Sequence, residues 1–274
     1  MVILIVLTLY PFIYIIFASI SNPSLFAAHT GLLLKPLGVQ FGAYTMVFRN
    51  KMVLVGYKNT LIYVTLGTTI NIIMTTLSAY VLSRKGYIWK NLLIFYVVIT
   101  MFFSGGLIPF YLTVKSLGLG DNILALILPN AINTYNLIIM RTSFGEIPDS
   151  LEESAKIDGA NDFTVLFRIF VPLSLPIIAV MILFYGVVHW NSWFYAMIFL
   201  RSRKLFPLQI ILREILIANN TEYMASGVSS GDMQAVGETV KYATIIVSTL
   251  PIVTIYPFLQ KYFVKGIMIG AIKG

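Results

Sequence analysis

The sequence predicts an all-α membrane bundle of about six transmembrane helices, and both its composition and the arrangement of its apolar residues support that prediction. Of its 274 residues, 58% are hydrophobic and 11% are charged, whereas a soluble domain carries roughly 25% charged residues. The apolar residues form long blocks, and a helix that crosses the hydrocarbon core of a bilayer needs about 20 of them. Most of the surface is therefore expected to contact lipid or other helices.

Six apolar blocks follow one another along the chain, and each predicts one span. Prolines fall inside or beside several blocks, and a membrane helix tolerates proline when neighbouring helices satisfy the freed carbonyl groups. The spans should therefore pack together as a single transmembrane domain over residues 1–274. The blocks lie at about 1–20, 60–82, 92–114, 123–140, 173–200 and 242–263.

The basic residues lie at the ends of these blocks, so the net charge of +8 does not form the clustered patch of a nucleic-acid-binding surface. Short cytoplasmic loops are enriched in Lys and Arg. Loop 83–91 carries three basic residues and loop 115–122 carries one, which favours loop 83–91 as cytoplasmic, although the totals of nine and ten on the two faces do not decide the orientation. The chain has no cysteine, which excludes disulfides and thiolate metal sites, and no metal site is predicted.

One titratable side chain, His189, lies well inside a predicted span. Ion-coupled transporters need ionisable groups at this depth, and a single histidine favours a neutral, hydrogen-bonded imidazole over a proton relay. The dipeptide Gly-Lys, which a P-loop requires, does not occur, and neither does His-Glu-x-x-His. The sequence therefore predicts no catalytic residue and no enzyme, and the energy for transport is expected to come from another protein.

Residues 145–172 form the most acidic connection, and their signals predict two short helices with a break between them. Pro148 suits a first helical turn, where its missing N–H costs nothing, and the acidic residues after it lie where the helix dipole favours them. Gly159 suits the left-handed position that ends a helix, and Asn161 or Asp162 can cap the next one. Such a pair suits docking into another protein's groove better than lying on a negatively charged leaflet. The second helix should carry an apolar stripe of Phe163, Leu166, Phe167 and Phe170.

The spacing within this loop resembles the EAA loop of ABC importer permeases. The family pattern is Glu-Ala-Ala, three residues, Gly, nine residues and Ile-x-Leu-Pro. Two positions depart from it, because Ser154 replaces the second-position Ala and Val171 replaces Leu. Pro172, the last residue of the pattern, is also expected to end the second helix of the loop and to begin the fifth span. The residues that match in position are Glu153, Ser154, Ala155, Gly159, Ile169 and Pro172.

The rest of the chain is similar to the carbohydrate branch of these permeases, the maltose-type inner-membrane permeases, and within it to permeases of aldouronate and other oligosaccharide importers. The similar stretches are Trp-Asn-Ser-Trp at 190–193, Pro-Leu-Gln at 207–209 and the tail at 265–274. The resemblance implies a multi-pass protein of the bacterial cytoplasmic membrane that forms half of a translocation path. It also implies four kinds of partner: a second, homologous permease, two ATP-binding subunits, an extracellular solute-binding protein and the sugar.

In such permeases the EAA loop forms a coupling helix that sits in a cleft of the ATP-binding subunit, which makes the loop cytoplasmic. The chain is then expected to hold no cofactor of its own, because a separate subunit binds ATP. The residues to which the resemblance assigns coupling are Glu153, Ser154, Ala155, Asp158, Gly159, Ile169 and Pro172.

A path for a sugar needs aromatic faces, amides and hydroxyls, and two spans offer them. Tyr185, His189 and Trp193 follow one another at intervals of four, which predicts a shared helical face. Membrane-interface aromatics and helix-joining asparagines are alternative roles for any one of these residues. The candidates for the path are Asn130, Asn133, Asn136, Tyr185, His189, Trp190, Asn191 and Trp193.

Three other functions remain open from the residues alone: a secondary transporter or channel that works without ATP, a membrane-embedded enzyme, and a permease for another solute class such as peptides. An amphipathic stretch at 205–217 is expected to lie at the outer interface, where it contacts either lipid or a solute-binding protein. Transport by the purified chain alone would favour the first alternative.

Overall fold

The computed structural model describes residues 1–217 and 233–271, and these residues form helices joined by turns and loops, with one isolated antiparallel bridge between Ser21 and Val39. The all-α prediction is confirmed. The α-helices of the described residues are, in chain order, α1 (Val2–Ser19), α2 (Pro23–Ala27), α3 (Gly42–Arg49), α4 (Lys51–Ser83), α5 (Lys90–Phe102), α6 (Leu107–Ser116), α7 (Leu124–Ile127), α8 (Thr134–Gly145), α9 (Asp149–Ile157), α10 (Asp162–Val165), α11 (Val171–Leu173), α12 (Leu175–Trp190), α13 (Phe194–Phe199), α14 (Leu208–Ile217) and α15 (Met233–Ala271).

Two helices of the described residues are long and apolar enough to cross a membrane, and the number of possible spans rises to four if each of two bent helix pairs is one span. Within the described residues, α4 and the Ala235–Ile255 part of α15 qualify individually by length and hydropathy. Two pairs of helices qualify only when each bent pair is taken as one span: α5 with α6, and Asp162–Leu173 with α12. Ile3–Ser19 is a shorter apolar helix. The total of six spans stays a prediction.

One compact unit comprises Met1–Thr60 and Ser202–Thr254. In it, the rings of Tyr14, Phe26 and Tyr242 meet edge to face, with centroids 5.6–6.3 Å apart. Edge-to-face pairs of this kind place the positive ring edge against a negative ring face. These contacts join α1, α2 and α15 around an aromatic centre.

The amphipathic stretch after residue 205 packs inside this same unit. The side-chain amide of Asn59 donates hydrogen bonds to the carbonyls of Lys204 and Phe206, at 2.7 and 3.0 Å. The hydroxyl of Thr60 accepts from the backbone N–H of Leu208 at 2.9 Å. One apolar face of α14 is buried there, so protein covers the surface that was predicted to meet lipid or a binding protein. The buried residues of α14 are Leu208, Ile210, Ile211 and Ile215.

The second unit comprises Leu61–Arg201 and the described residues from Ile255 onward. It holds a buried core of apolar side chains from α4, α8, α10, the π-helical turn at Leu166–Phe170 and α12. Phe170 lies at its centre, with its ring edge-on to those of Tyr80 and Phe144 at centroid distances of 5.1 and 5.7 Å. The core residues are Ala79, Tyr80, Leu82, Leu137, Met140, Phe144, Val165, Leu166, Phe170, Ile178, Met181 and Tyr185.

The third apolar block, predicted as one span over 92–114, is two helices. α5 ends at Phe102, α6 begins at Leu107, and their axes differ by 119°. Gly106 has φ +81°, a conformation in which a Cβ would clash with the backbone. The two consecutive glycines therefore permit a turn that the hydropathy of the block conceals.

The fifth block, predicted as one span over 173–200, is divided between α12, which ends at Trp190, and α13, which begins at Phe194. A bend also lies at the start of this block. The helix that begins at Asp162 continues through Pro172 to Leu173, and the chain bends by 84° before α12 begins at Leu175. The expectation that Pro172 ends the second helix is therefore wrong, because that helix continues to Leu173, and α12 begins three residues after Pro172. Pro176 lies in the first turn of α12, where a missing N–H leaves no hydrogen bond unmade.

Candidate functional site

A cavity of about 240 Å³ lies in the second unit, between the middle of α4, the chain that precedes α8, and the segment that joins α12 to α13. Seven of the eight residues predicted for a substrate path line it, although the path role itself stays a prediction. Trp190 does not line it. The fourteen lining residues are Asn71, Leu126, Asn130, Ile132, Asn133, Asn136, Tyr185, Val188, His189, Asn191, Ser192, Trp193, Phe194 and Tyr195.

Asn71, which was not predicted, is the fully buried centre of the hydrogen bonds around this cavity. Its side-chain nitrogen donates to the carbonyls of Asn130 and Ala131, at 2.6 and 2.9 Å. These carbonyls belong to a 3₁₀ turn at Leu128–Asn130 and the residue after it, where regular helical bonding is interrupted. A lone amide within an apolar block is costly unless it is hydrogen-bonded, and that cost is the signal by which the sequence could have revealed Asn71.

The orientation of Asn71 also assigns a proton to Nε2 of His189. Because the side-chain nitrogen of Asn71 faces two carbonyls, its oxygen faces His189 Nε2, at 2.7 Å. An amide oxygen only accepts hydrogen bonds, so Nε2 carries a proton. The predicted hydrogen bond of this imidazole is therefore present, and its neutral charge stays a prediction.

Gly67, one helical turn before Asn71, provides the space for this imidazole. A Cβ atom at residue 67 would lie 2.4 Å from His189 Nε2 and 2.5 Å from Cε1, which is closer than any side chain tolerates. α4 and α12 therefore approach each other at this point only because residue 67 has no side chain.

A second set of hydrogen bonds joins the same elements one turn further along α4. The hydroxyls of Thr75 and Tyr185 lie 2.7 Å apart, and the Tyr185 oxygen accepts from the backbone N–H of Asn133 at 3.2 Å. The side-chain oxygen of Asn133 in turn accepts from the backbone N–H of Asn136 at 3.1 Å and caps α8. The bonds of Tyr185 and Asn133 therefore hold the start of α8 in place beside the cavity.

The predicted helical face shared by Tyr185, His189 and Trp193 is wrong for its last member. α12 ends at Trp190, and Trp193 directly precedes α13. Trp193 nevertheless lines the cavity, together with Asn191 and Ser192 of the turn that joins α12 to α13. Trp190 is buried and does not reach the cavity.

The acidic loop forms the two short helices that the sequence predicts. Gly159 has φ +82°, directly after α9, and the Asn161 side chain accepts from the backbone N–H of Thr164 at 2.8 Å and caps α10. Pro148 precedes the first helical residue, Asp149. The choice between Asn161 and Asp162 as the cap is therefore settled in favour of Asn161.

The apolar stripe predicted for the second helix is only half correct. Leu166 and Phe170 are buried, whereas Phe163 and Phe167 are exposed. The chain forms a π-helical turn over Leu166–Phe170, and in this wider turn the buried face is shared by Val165, Leu166 and Phe170. The two exposed phenylalanines thus lie on the side of the helix that points away from the core.

Ion pairs hold α9 against the end of α4 and the start of α10. Glu152 contacts Arg84 at 2.8 Å and Lys156 at 2.7 Å, and Lys156 also contacts Asp162 at 3.3 Å. Burial acts to raise the pKa of Glu152, but the hydrogen bonds from Lys156 and Arg84 outweigh it, and the pKa lies below its ordinary value. The hydrogen bond to Glu152 raises the pKa of Lys156. Both groups are therefore charged at neutral pH.

The comparisons with known proteins place the chain in a family. The family described as "Binding-protein-dependent transport system inner membrane component" matches residues 65–269, which include the cavity and the acidic loop. The chain belongs to this family. It is a membrane permease of a binding-protein-dependent transport system, and the resemblance read from the sequence is confirmed.

This permease is similar along nearly its whole length to proteins of Bacillus subtilis. It is 43% identical to the polygalacturonan/rhamnogalacturonan transport system permease protein YtcP, over 96% of this chain and 92% of the relative. It is 40% identical to the protein LplC, over 98% and 90%. Its fold matches a crystal structure of a bacterial ABC transporter involved in the import of the acidic polysaccharide alginate, with a TM-score of 0.87, 34% identity, and coverage of 95% and 92%.

In this permease the residues assigned to coupling divide by exposure. Glu153, Ser154, Asp158 and Gly159 are exposed on α9 and the turn after it, and Ile157 between them is 87% exposed. Ala155 and Ile169 are partly buried and pack against the core of the second unit. Pro172 is exposed within the second helix. In the tail at 265–274, residues 272–274 lie outside the described residues.

Proposed function

We propose that this permease forms half of the translocation path of a bacterial ABC importer for oligosaccharides, in the cytoplasmic membrane. Its partners in this proposal are a second, homologous permease, two ATP-binding subunits and an extracellular solute-binding protein. The observation that carries the choice of solute is the cavity, whose lining combines amides, hydroxyls and aromatic rings without an Asp, Glu, Lys or Arg among the described residues.

This lining has the chemistry that a sugar requires. Each sugar hydroxyl both donates and accepts hydrogen bonds, and the amides of Asn130, Asn133 and Asn136 offer both kinds of group. Aromatic rings, such as that of Trp193, offer flat apolar faces to the C–H surfaces of a sugar ring. The similarity to YtcP, a polygalacturonan/rhamnogalacturonan permease protein, and to a transporter involved in alginate import supports a carbohydrate over a peptide.

In this proposal the acidic loop contacts the ATP-binding subunit. A short exposed helix that ends in a left-handed glycine suits insertion into a groove of another protein. The exposed residues Glu153, Ile157 and Gly159 would then meet the ATP-binding subunit, which places the loop on the cytoplasmic side. The chain lacks a Gly-Lys dipeptide, so ATP would be bound by that separate subunit.

The loop part of the proposal is tested with the complete transporter in liposomes, using labelled oligogalacturonides and alginate oligosaccharides as solutes. We expect ATP-dependent uptake by the full complex and none by the permease alone. Gly159→Val should uncouple ATP hydrolysis from uptake, because a β-branched residue at φ +82° costs about 1–2 kcal/mol. Gly145→Ala, in open space at the end of α8, is the matched control. Uptake by the permease alone would support the ATP-independent alternative instead.

The cavity part is tested with Trp193→Ala and Asn133→Ser. The serine keeps an oxygen that can cap α8 while it removes the amide, so α8 should still form. Both variants should change which oligosaccharides are taken up at unchanged protein levels, whereas Trp89→Ala, an exposed tryptophan outside the cavity, should not. Equal losses for every solute would contradict the cavity assignment.

A further inference from the structure

Arg84 follows the last residue of α4, and its guanidinium contacts four separate elements of the second unit. Its side chain is 11% exposed and that of Glu152 is 14% exposed. Nη1 donates to Glu152 Oε2 at 2.8 Å, Nη2 donates to the carbonyl of Phe144 at 2.9 Å, and Nε donates to the hydroxyl of Ser83 at 3.0 Å. All three guanidinium nitrogens are therefore bonded to protein atoms.

The flat face of the same guanidinium lies over an aromatic ring of the core. Its carbon is 4.2 Å from the ring centroid of Phe170 and 5.7 Å from that of Tyr80. A planar cation over an aromatic face is attracted by the ring quadrupole, and the attraction grows as water is excluded. Lysine could not reproduce this set of contacts, because it has one ammonium and no planar fork.

The chain around Arg84 is itself held in place. Lys90 donates to the carbonyls of Ser83 and Arg84 at 3.3 and 3.0 Å, which satisfies groups that the end of a helix leaves unbonded. The second oxygen of Glu152 is bonded to Lys156 at 2.7 Å. Neither partner of the Arg84–Glu152 pair is therefore free to swing away.

Two of the helices that Arg84 joins, α4 and α8, extend to the cavity. α4 carries Asn71 and runs on to Arg84, a distance of about 20 Å at 1.5 Å per residue. α8 begins directly after Asn133 at the cavity and places Phe144 in its last turn beside Arg84. Packed helices carry a displacement from one end to the other when a fixed contact transmits it.

We propose that Arg84 is a positioning residue that fixes α9 to the ends of α4 and α8, so that a displacement of α9 reaches the cavity. This inference rests on the proposed function, because it takes α9 as the element that the ATP-binding subunit moves. In this route the motion passes through one guanidinium, whose side chain is 11% exposed, in addition to the apolar contact of Ala155 with the core.

A neighbouring ion pair provides the matched control. Lys85, the residue after Arg84, and Asp149, the first residue of α9, lie 2.5 Å apart, but Lys85 is 84% exposed. Exposed pairs contribute little to rigidity, because water and salt screen them. Lys85→Ala should therefore leave coupling unchanged, although it removes the same charge from the next residue.

The first measurement is the distance between two spin labels in the complete transporter. The chain has no native cysteine, so Ser150→Cys on α9 and Tyr135→Cys at the cavity end of α8, both exposed, can be labelled selectively when the partner subunits are used in cysteine-free form. With Arg84 present we expect one narrow distance distribution that is the same with and without ATP. Arg84→Ala and the isosteric Glu152→Gln should broaden it, and Lys85→Ala should not.

The second measurement is solute uptake per ATP hydrolysed, with the oligosaccharide that the unmodified complex takes up best. A coupling change in the usual range predicts a fall of about fivefold or more for Arg84→Ala, with ATP-binding subunits still bound. If Arg84→Ala fails to fold, Glu152→Gln carries the test. The role of Arg84 would be overturned if the folded variants kept both the spin-label distance distribution and the ratio of solute taken up to ATP hydrolysed. It would also be overturned if the variants lowered only the amount of folded protein and left that ratio unchanged.

Failure of this inference is separable from failure of the proposed function. If Glu153→Lys and Gly159→Val uncouple the transporter while Arg84→Ala and Glu152→Gln do not, only the route through Arg84 is refuted. If none of the four variants uncouples it, α9 is not the coupling element and the proposed function falls with it.

Discussion

Replacing Gly67 by alanine should destabilise this permease, although the same change stabilises most helices. Alanine is favoured over glycine inside a helix by about 1 kcal/mol. Here the new Cβ would lie 2.4 Å from His189 Nε2, so the imidazole must move and its 2.7 Å hydrogen bond to Asn71 must break. The sign of the effect therefore depends on packing and not on helix propensity.

The magnitude follows from three contributions. Overpacking a well-filled interior costs about 1–3 kcal/mol, and an unsatisfied buried oxygen on Asn71 costs about 1–3 kcal/mol more. After the helix propensity gain of about 1 kcal/mol is subtracted, the net loss in the free energy of unfolding is about 1–5 kcal/mol. At roughly 3 °C per kcal/mol, the melting temperature in detergent should fall by about 3–15 °C.

The assay is thermal unfolding of the purified permease, with one control and one rescue variant. Gly186→Ala is the control, because its Cβ would meet only the Thr68 hydroxyl at 3.9 Å, and it should melt at or above the temperature of the unmodified protein. His189→Ala in the Gly67→Ala background removes the clash, so the double variant should lose less than the sum of the two single losses. An unshifted melting temperature for Gly67→Ala, or strictly additive losses, would refute the reasoning.

Two further predictions concern the charge of Glu152 and the hydrogen bonds of the Tyr185 hydroxyl. The folded pKa of Glu152 lies below its ordinary value of 4.5. The contribution of this carboxylate to stability is therefore present above pH 4.5 and is lost as the pH falls through the lower folded pKa. The melting temperature should fall as the pH is lowered from neutral, and it should fall less in Glu152→Gln. Tyr185→Phe removes the oxygen that contacts Thr75 and the Asn133 N–H, which should cost about 1–3 kcal/mol in thermal unfolding, and an unaffected melting temperature would show that water replaces the hydroxyl.

Local signals in the sequence located much of the acidic loop correctly. The left-handed Gly159, the capping Asn161 and the helix after Pro148 all depend on residues within a few positions of one another. Such contacts are decided by short-range sterics and hydrogen bonds. The apolar blocks correctly predicted helices, but they did not predict the 119° bend at the glycine pair. The hydropathy of a block indicates that its residues avoid water, and it does not indicate the direction in which the chain runs.

The residue types of the cavity were also predictable, but their convergence was not. Asparagines and aromatic residues in the fourth and fifth blocks indicated a polar path, and seven of eight candidates line one cavity. Trp190 points elsewhere, and Trp193 reaches the cavity from beyond the end of α12. Whether a residue near a helix end faces the cavity depends on where that helix stops.

The sequence by itself determined the helical class, the capped loop and the family, because each follows from composition or from fixed spacing along the chain. Only the tertiary structure decided that Asn71, 118 residues from His189, fixes its ring, and that Arg84 joins Glu152, 68 residues away, to the end of α8. The physical reason is that a buried amide or guanidinium is stable only with partners, and those partners are brought by the packing of distant helices.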